Sequence, residues 1–445
     1  MQLSVKGRRL ELDGRTGLLL KRMLSPLCGL DQRISLSLLT QTSPHAVLIG
    51  AELTGVHVLL GVPSPPFTSY HIGGAGVSLD HAVVRTLAES AERYAQLTAE
   101  IYRAHLIRFA PRDELSGAGH HVLSTEQLVM FDAAQHARPD FPFRTFRSDM
   151  PIGWVEGSSL VGRESCWIPA QLVFVGYQTR DDLGEARILS GVTTGTAAHR
   201  THDRALLNAI LELIQIDCAI GHWYSSWPAH PIVLDKRVEI VKDLMLSHTR
   251  GGPLPEFFWI PSPDLPGFVI ACMYRGGGGK LPGVTIGLGC SLKLSEALYK
   301  AWLEAIGVKQ LAAIDLLEIN QDSWQDSEIY DLDRNVVWYA AGHGAARVQE
   351  RFTSRKAVAT TALPDDVLLE PVAAVEHLVA AFRMTGKDLY RWDLTPSDVA
   401  ELGLVVERVW SPDTIGLPLP SAPPVRHPRF GAYGGLSHEQ PHPFP

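Results

Sequence analysis

The stretch Ser190–Tyr224, SGVTTGTAAHRTHDRALLNAILELIQIDCAIGHWY, is the one around which we interpret the rest of the chain. A turn-prone run rich in Gly and Thr leads into a helical pattern, in which apolar residues recur every three or four positions. The same pattern places Glu212 and Gln215 on or beside a face that otherwise looks buried. Burying a carboxylate is costly unless it is paired, protonated or bound to a metal. This loop and helix are therefore a reasonable place to hold a polyanion and its cations.

Composition describes an ordinary globular protein. The 445 residues are 45% hydrophobic and 20% charged, enough for one large domain or roughly two to three smaller ones. The chain has no run of about 18 apolar residues and no apolar N-terminal stretch, so we expect a cytoplasmic protein without a membrane partner. Five scattered cysteines without C-x-x-C argue against a disulfide framework or structural zinc. A formal net charge of −8 argues against a general nucleic-acid binder.

Polar stripes recur on three predicted helices. They are Arg85, Glu89, Glu92 and Arg93 on the first, Glu212 and Gln215 on the second, and Lys300 and Glu304 on the third. Converging glutamates can hold the Mg²⁺ ions that neutralise a nucleoside triphosphate. The alternative is that these residues form solvated pairs four positions apart, each worth about a few tenths of a kcal/mol. Spacing alone favours the solvated pairs.

Other patterns favour structural roles. GGGGK at 276–280 lacks the Walker spacing and predicts a hairpin turn between two strands. GGAG at 73–76 lacks the spacing of the dinucleotide fingerprint. Cys218 and His222 lie four apart on one helical face and could form a thiolate pair, but core packing is the favoured interpretation. We also expect the adjacent aromatic pair Trp223–Tyr224 to be packing rather than a stacking platform.

We divide the chain into a strand-rich part (1–70), a central core (71–411) and a Pro-rich tail (412–445). VLIGAELTG and VHVLLGVPSPP are interpreted as strands of the first part, and CWIPAQLVFVGY and VVERVW as strands of the core. LTPSDVAELGL predicts a helix capped by Thr395. The tail contains nine prolines and ends in PHPFP, which predicts an extended segment, either a disordered end or an ordered strap.

Taken together, three stretches resemble the YcaO family of ATP-dependent peptide-backbone enzymes. AVVRTLAESAER resembles the family's S-x-x-x-E-x-x-E-R motif, with Arg85 where Ser is usual. The stretch Ser190–Tyr224 resembles the family's S/N-G-x-A-x-G loop and the helix A-x-x-x-A-x-x-E-x-x-E-R-D that follows it. Gln215 and Ile216 replace Glu and Arg of that helix motif. In EALYKAWLEAIGVKQ, Lys300 stands for a common Arg and Glu304 matches.

The resemblance runs from about Met23, where MLSPLCGL is also similar, to the end of the chain. The literal P-x-P-x-P ending at Pro441, Pro443 and Pro445 is typical of azoline-forming members. The Gln-containing helix and the stand-alone length resemble the microcin-type and streptolysin-type cyclodehydratase components. The resemblance implies an α/β fold (mixed α+β), with mixed sheets, layered helices and an extended C-terminal strap.

It also implies an activity. In this family a Cys, Ser or Thr of a ribosomal precursor peptide attacks the preceding amide carbonyl, and ATP phosphorylates the amide oxygen. Loss of phosphate then gives thiazoline or oxazoline, and catalysis is mainly positioning and charge neutralisation. We therefore expect an ATP-dependent cyclodehydratase with ATP and Mg²⁺ as cofactors.

The resemblance implies roles for individual residues. Those expected to bind Mg²⁺ and nucleotide are Glu89, Glu92, Glu212, Gln215 and Glu304. Ser190 is expected near the nucleotide, Arg93 and Lys300 facing phosphate, and Arg85 supplying the cation missing where Ala75 replaces a common Lys. The Pro445 carboxylate is expected at the active site, acting as a base.

The expected partners are the precursor peptide, a ubiquitin-activating-enzyme-like subunit that captures its leader, and a flavin (FMN) dehydrogenase, in a hetero-oligomeric complex. Two alternatives stay open. One is thioamide or amidine formation within the same family, against which the P-x-P-x-P ending counts. The other is a non-catalytic scaffold of a synthetase complex, which the substitutions at 85, 215 and 216 keep open.

Overall fold

The structure is a computed structural model that describes residues 2–5, 8–37, 44–62, 72–249, 252–276, 282–318, 329–353 and 355–445. Its strands are β1 (Gln2–Val5), β2 (Arg8–Glu11), β3 (Asp31–Leu36), β4 (Val47–Leu53), β5 (Ile72–Gly76), β6 (Arg108–Pro111), β7 (Pro151–Ser159), β8 (Cys166–Pro169), β9 (Thr196–His199), β10 (His230–Val233), β11 (Glu256–Trp259), β12 (Phe268–Arg275), β13 (Val284–Ser291), β14 (Val358–Ala359), β15 (Tyr390–Asp393) and β16 (Val405–Trp410).

The helices surround and separate the sheets. They are α1 (Gly14–Met23), α2 (Val56–Leu60), α3 (Leu79–Arg103), α4 (Arg112–Gly117), α5 (Thr125–Leu128), α6 (Ala133–His136), α7 (Ala170–Val173), α8 (His202–Tyr224), α9 (Glu239–His248), α10 (Leu294–Glu318), α11 (Leu332–Ala340), α12 (Ala345–Thr353), α13 (Pro371–Met384) and α14 (Ser397–Glu401).

Two large sheets and two small ones form the β-structure of the described residues. The larger sheet has the order β6-β7-β15-β16-β9, with β8 also paired to β7, and all its pairs are antiparallel. The second has the order β13-β12-β11-β10-β14, in which β10 and β14 are parallel. A three-stranded sheet β3-β4-β5 and the hairpin β1-β2 complete the set. The predicted combination of mixed sheets and layered helices is confirmed.

Three long helices meet around the sheets, and they are the three predicted to carry glutamates. Helix α3 contacts β5 and β9, α8 contacts β9 and β13, and α10 contacts β13 and β5. Any two of these three helices therefore pack against a common strand. Close packing depends on glycine: a Cβ at Gly74 would lie 2.5 Å from the Ala82 carbonyl of α3, and one at Gly287 would clash with the backbone of α10 at Ala305. These glycines hold α3 and α10 tightly against their strands.

Helix α8 is the core of the molecule. Among the described residues it is the helix long and apolar enough to span a membrane, yet most of it is surrounded by protein. It contacts β9 and β16 of the larger sheet, β13 of the second sheet, and α13. An apolar helix in this position satisfies its hydrophobic surface against the two sheets, as in a soluble protein.

The Pro-rich tail is an ordered strap, one of the two predicted possibilities. Beyond β16 it contains no α-helix, and a 3₁₀ turn spans Pro428–Tyr433. The side chains of His442 and Phe444 are fully buried. Trp223 Nε1 donates to the Gln440 carbonyl at 3.0 Å, and Asn335 Nδ2 donates to the His442 carbonyl at 2.6 Å. The strap therefore closes over the C-terminal half of α8.

A buried ion pair anchors the strap. Arg429 donates to Asp217 of α8 at 2.7 Å, and to both carboxylate oxygens of Asp264 at 2.8 Å. Lys387 reaches the same Asp264 at 2.5 Å, and the Tyr433 hydroxyl donates to Asp217 at 2.6 Å. Because each charge is paired and hydrogen-bonded, the network can remain ionised inside the protein.

Several local predictions were wrong. Val56–Leu60 forms helix α2 rather than a strand, bracketed by Gly55 and Gly61 in left-handed conformations. Within CWIPAQLVFVGY only Cys166–Pro169 is a strand, and a helical turn follows it. Helix α14 begins at Ser397 with Pro396 as its cap, one residue later than predicted.

The predicted Gly-rich turn lies mostly outside the described residues, since 277–281 are not described. The strands on either side of it, β12 and β13, pair with Arg275 opposite Val284, as a hairpin requires. The domain boundaries 1–70, 71–411 and 412–445 stay a prediction.

Candidate active site

Four glutamates from three helices line one cleft. Glu89 and Glu92 lie on α3, Glu212 on α8 and Glu304 on α10. The negative charge of one glutamate raises the pKa of the next. Glu212 and Glu89 raise the pKa of Glu92. Glu304 and Glu89 raise that of Glu212, and Glu89 raises that of Glu304. The structure therefore brings together the carboxylates that the sequence pattern singled out, and they are not the separate solvated pairs of the alternative interpretation.

Burial is the main cause of a raised pKa at all four carboxyl groups. The pKa of Glu89 and of Glu304 rises to about 7, that of Glu212 rises to about 8, and that of Glu92 rises well above its usual range. Repulsion between the carboxylates adds to the effect of burial at Glu92, Glu212 and Glu304. The Glu89 side chain nevertheless keeps 36% of its surface accessible, so solvent reaches this carboxyl group.

The donor set suits hard cations. Crowded carboxylates with raised pKa values are relieved by positive charge, and carboxylate oxygens are ligands that Mg²⁺ prefers. Among the described residues, no three His, Cys, Asp or Glu side chains lie close enough to hold one metal ion. Mg²⁺ in proteins usually keeps several waters and is bound by one or two carboxylates together with substrate phosphates.

Three predicted cations border the glutamates. The Arg85 guanidinium lies over the Tyr299 ring, 5.8 Å from its centroid, and is attracted to Glu304. Lys300 Nζ donates to the Cys290 carbonyl at 3.3 Å, and burial together with nearby Arg85 lowers its pKa. Arg93 lies 3.9 Å from Glu89, one helical turn away. Each of the three cations is therefore close enough to one of the glutamates to interact with it electrostatically.

Arg408 is a site residue that the sequence patterns missed. It is buried in β16, where its Nη1 donates to the carbonyls of Val192 and Thr194, both at 2.7 Å. Burial lowers its pKa to about 10, and attraction to Glu212 and Glu92 opposes that shift. Arg408 thus ties the Gly- and Thr-rich loop to the glutamates. The signal that was available is a lone arginine in the apolar strand VVERVW.

The remaining predicted residues are less directly joined to the cleft. Gln215 is half-buried on α8, three positions after Glu212 and on the same side of the helix. Ser190 is half-buried, and its hydroxyl accepts a hydrogen bond from Arg187 at 3.2 Å. Pro445 is half-buried at the end of the strap. Among the residues that the structure describes, no hydrogen bond or ion pair links any of these three to a glutamate.

The residues predicted to pack do so. Cys218 is fully buried, and the Tyr433 hydroxyl approaches its sulfur at 3.7 Å. His222 is hydrogen-bonded to the Trp227 carbonyl at 2.7 Å rather than to the thiol. Trp223 and Tyr224 are fully buried against the strap. Packing is therefore confirmed for this end of α8.

A family comparison covers most of the chain. The sequence model described as YcaO cyclodehydratase, ATP- and Mg²⁺-binding, matches residues 73–415. The chain belongs to the YcaO family. The matched range contains the four glutamates and Arg408, and the ATP and Mg²⁺ of the family description confirm the predicted cofactors. No match was found among curated protein sequences.

Solved structures share the YcaO fold. A heterocyclase in complex with substrate and cofactor superposes with a TM-score of 0.71 at 17% identity, over 98% of this chain. The chain spans 59% of the length of that heterocyclase. YcaO from Methanopyrus kandleri, bound with AMPPCP and Mg²⁺, gives a TM-score of 0.62 at 17% identity, covering 96% of this chain and 93% of its own. A chain of the E. coli microcin synthetase McbBCD complex gives 0.59 at 15% identity, covering 93% and 96%.

Proposed function

We propose that this YcaO chain is the ATP-using cyclodehydratase subunit that converts Cys, Ser or Thr residues of a ribosomal precursor peptide into thiazoline or oxazoline. The observation that carries the proposal is the cleft in which four glutamates from three helices converge beside Arg85, Arg93 and Lys300. Such a site pairs carboxylates for Mg²⁺ with cations for phosphate, which is the charge arrangement that phosphoryl transfer needs.

Specific residues would hold the cofactors. Glu89, Glu92, Glu212 and Glu304, with Gln215 beside them, would bind Mg²⁺ and through it the nucleotide. When bound, ATP supplies the phosphoryl group that makes the amide oxygen a good leaving group. Since the carboxylates must be deprotonated to bind a metal, their raised pKa values couple binding to proton release.

The chain's own cations and its strap would complete the chemistry. Arg93, Lys300 and Arg85 would stabilise negative charge that develops on the transferred phosphoryl group. The loop from Ser190, held by Arg408, would position the nucleotide. The Pro445 carboxylate would accept a proton from the attacking side chain or the amide N–H. One amide oxygen leaves as phosphate, and the ring closes with loss of two protons from the peptide.

The proposal includes partners. We expect a precursor peptide, a ubiquitin-activating-enzyme-like subunit that captures its leader, and an FMN dehydrogenase that oxidises azoline to azole. A microcin synthetase McbBCD complex with pro-MccB17 bound has a chain of this fold, with a TM-score of 0.58. This likeness is consistent with a multi-subunit complex. A cytoplasmic location accords with five unpaired cysteines, four of them buried.

A matched pair of glutamates on α10 tests the activity. Glu304 lies in the cleft, whereas Glu296, two turns earlier, is exposed and pairs with Lys293 at 3.0 Å. With partner and peptide present, Glu304→Gln should reduce phosphate release and ring formation at least a hundredfold. Glu296→Gln should retain both. Full activity of Glu304→Gln, or no phosphate release by the wild-type complex, would contradict the proposal.

The role of the Pro445 carboxylate needs a change that spares the buried strap. Adding Ser-Gly after Pro445 moves the carboxylate but keeps Phe444 packed against Trp223. We expect ring formation to fall at least tenfold while ATP binding, measured by calorimetry, is retained. Undiminished ring formation would show that the carboxylate takes no part.

A further inference from the structure

A cavity with mainly apolar walls adjoins the loop after Ser190. Its volume is about 100 Å³. The walls are mainly apolar and come from three places: Phe131 and Phe143 of the segment after α5, Leu172 of α7, and Leu417 of the strap. A mainly apolar lining is typical of sites that bind apolar groups.

The cavity lies next to the proposed nucleotide site. Ser190, Thr194 and Arg408 form part of its wall, together with Leu213, the neighbour of Glu212 on α8. Arg408 is attracted to Glu212 and Glu92. Arg408 therefore belongs to the wall of the cavity and also interacts electrostatically with two of the glutamates.

A second, more polar cavity meets the first at Ser190. Its volume is about 230 Å³, and Gln178 and Arg187 contribute to its wall. Leu189 and Ser190 line both cavities. Arg187 of the second cavity has its guanidinium 5.6 Å from the centroid of the Phe143 ring, which lines the first, and it donates a hydrogen bond to Ser190. An extended peptide lying across Ser190 would meet a polar site on one side and an apolar site on the other.

We propose that the apolar cavity binds an apolar side chain of the precursor peptide, at a position adjacent to the residue that is cyclised. The proposal rests on the function proposed above and adds a substrate preference to it. A nucleotide is the less suitable occupant because its phosphates need cationic partners. The cations proposed to face phosphate lie on α3 and α10. Arg408, which lines the cavity, already donates from Nη1 and Nη2 to backbone carbonyls. An aliphatic or aromatic side chain needs no such donors and gains from burial against these walls.

Gly416 offers a direct way to fill the cavity. It lies in the strap, lines the cavity, and a Cβ built on it would have no atom within 4 Å. Its backbone is not in the left-handed region, so a larger residue is not strained there. Gly431, also in the strap, is exposed and equally open but does not line the cavity, and it serves as the matched control.

The test compares two precursor peptides that differ only beside the cyclised Cys, one with Leu and one with Gly. The complex with its leader-binding partner is assayed for ring formation by mass spectrometry and for peptide binding by calorimetry. Wild-type protein should favour the Leu peptide about tenfold or more in kcat/KM, in line with the discrimination apolar pockets achieve. Gly416→Leu should abolish that preference by weakening the Leu peptide, Gly416→Ala should reduce it in part, and Gly431→Leu should keep it.

The outcomes separate the two proposals. A rise in the KM for ATP in Gly416→Leu, with the peptide preference unchanged, would assign the cavity to the nucleotide and overturn the inference. Ring formation with an unchanged preference and an unchanged KM would overturn it as well. Absence of ring formation in the wild type would contradict the proposed function. The role of the cavity would then be tested by peptide binding alone, and equal affinity of the wild type for both peptides would overturn the inference about the cavity. The thermal midpoint of each variant verifies folding.

Discussion

Arg408 shows how one buried side chain can hold a loop in place and offset nearby negative charge at the same time. It reaches from β16 to the carbonyls of Val192, Thr194 and Leu172, and its charge offsets two of the four glutamates. Lysine has a single ammonium and cannot span these carbonyls. Hydrogen bonds from a charged donor are worth about 1.5–3 kcal/mol each.

Replacing Arg408 by Lys should therefore raise the KM for ATP about tenfold or more, with a smaller effect on kcat at saturating ATP. The matched control is Arg391→Lys on the adjacent β15, since Arg391 pairs with Glu407 away from the loop. Steady-state kinetics of phosphate release measures both. If Arg408→Lys lowers only the thermal midpoint and leaves the KM unchanged, the arginine is merely structural.

The same residue marks a limit of prediction from sequence. Glu89, Glu92, Glu212 and Glu304 follow motif spacing along single helices, and spacing is visible in a sequence. Arg408 donates hydrogen bonds to backbone carbonyls of a loop more than two hundred residues earlier in the chain. Because every residue has a backbone carbonyl, the loop sequence contains no signal for this contact. Nothing in the pattern of the loop specifies which distant side chain will meet it.

At the scale of an element, β3 begins with a carboxyl group in an unusual state. Asp31 is fully buried, and neither of its oxygens has a hydrogen-bond partner of good geometry among the described residues. Burial raises the pKa of Asp31 to about 7, and the neighbouring Ser90 hydroxyl opposes this only in part. The folded protein thus keeps a proton that the unfolded chain loses near pH 4.

This linkage predicts a pH dependence of stability. The contribution of Asp31 is fully present below about pH 4 and is lost as pH rises through about 7. Wild-type resistance to urea should therefore fall between pH 5 and 8, and Asp31→Asn, which cannot ionise, should show a shallower fall. Asp149→Asn, at an exposed pair with Arg147, is the control and should match the wild type. Parallel curves for Asp31→Asn and wild type would refute the assignment.

Some helices could be predicted from the local sequence and others could not. The three long helices were predicted from their sequence patterns, and the Ser78 side chain caps α3 by accepting a hydrogen bond from the His81 N–H at 3.3 Å. Helix α2 was missed because Val56, Val58 and the leucines after them have a strand-like composition. Its helical state depends on the left-handed turns at Gly55 and Gly61, which a count of apolar residues does not register.

At the scale of the whole molecule, the strap and core are joined by the Asp217–Arg429 pair. Removing one partner of a buried pair leaves a charge uncompensated and typically costs about 3–5 kcal/mol. We expect Asp217→Asn to lower the urea midpoint strongly. Asp388→Asn, which breaks a half-exposed pair with Arg163, should cost about 1 kcal/mol or less. Equal effects of the two substitutions would show that the strap does not depend on this pair.

The path of the strap was the least predictable part of the fold. Proline content indicates an extended segment but not whether or where it docks. The strap is held by side chains of Trp223 and Tyr224 on α8 and of Asn335 and Tyr339 on α11, which donate to its backbone carbonyls. The types of these residues do not indicate which distant segment they bind. Only the assembled tertiary structure brings them together.

The docking of the strap also has a consequence during synthesis. Trp223 and its hydrogen-bond acceptor at Gln440 are 217 positions apart. At translation rates of about 5–20 residues per second, the ribosome takes on the order of ten to forty seconds to make the intervening chain. Throughout that interval the end of α8 is an apolar surface without its cover, and contacts so distant in sequence form late. Nascent chains of this protein should therefore be clients of chaperones that bind exposed hydrophobic helices.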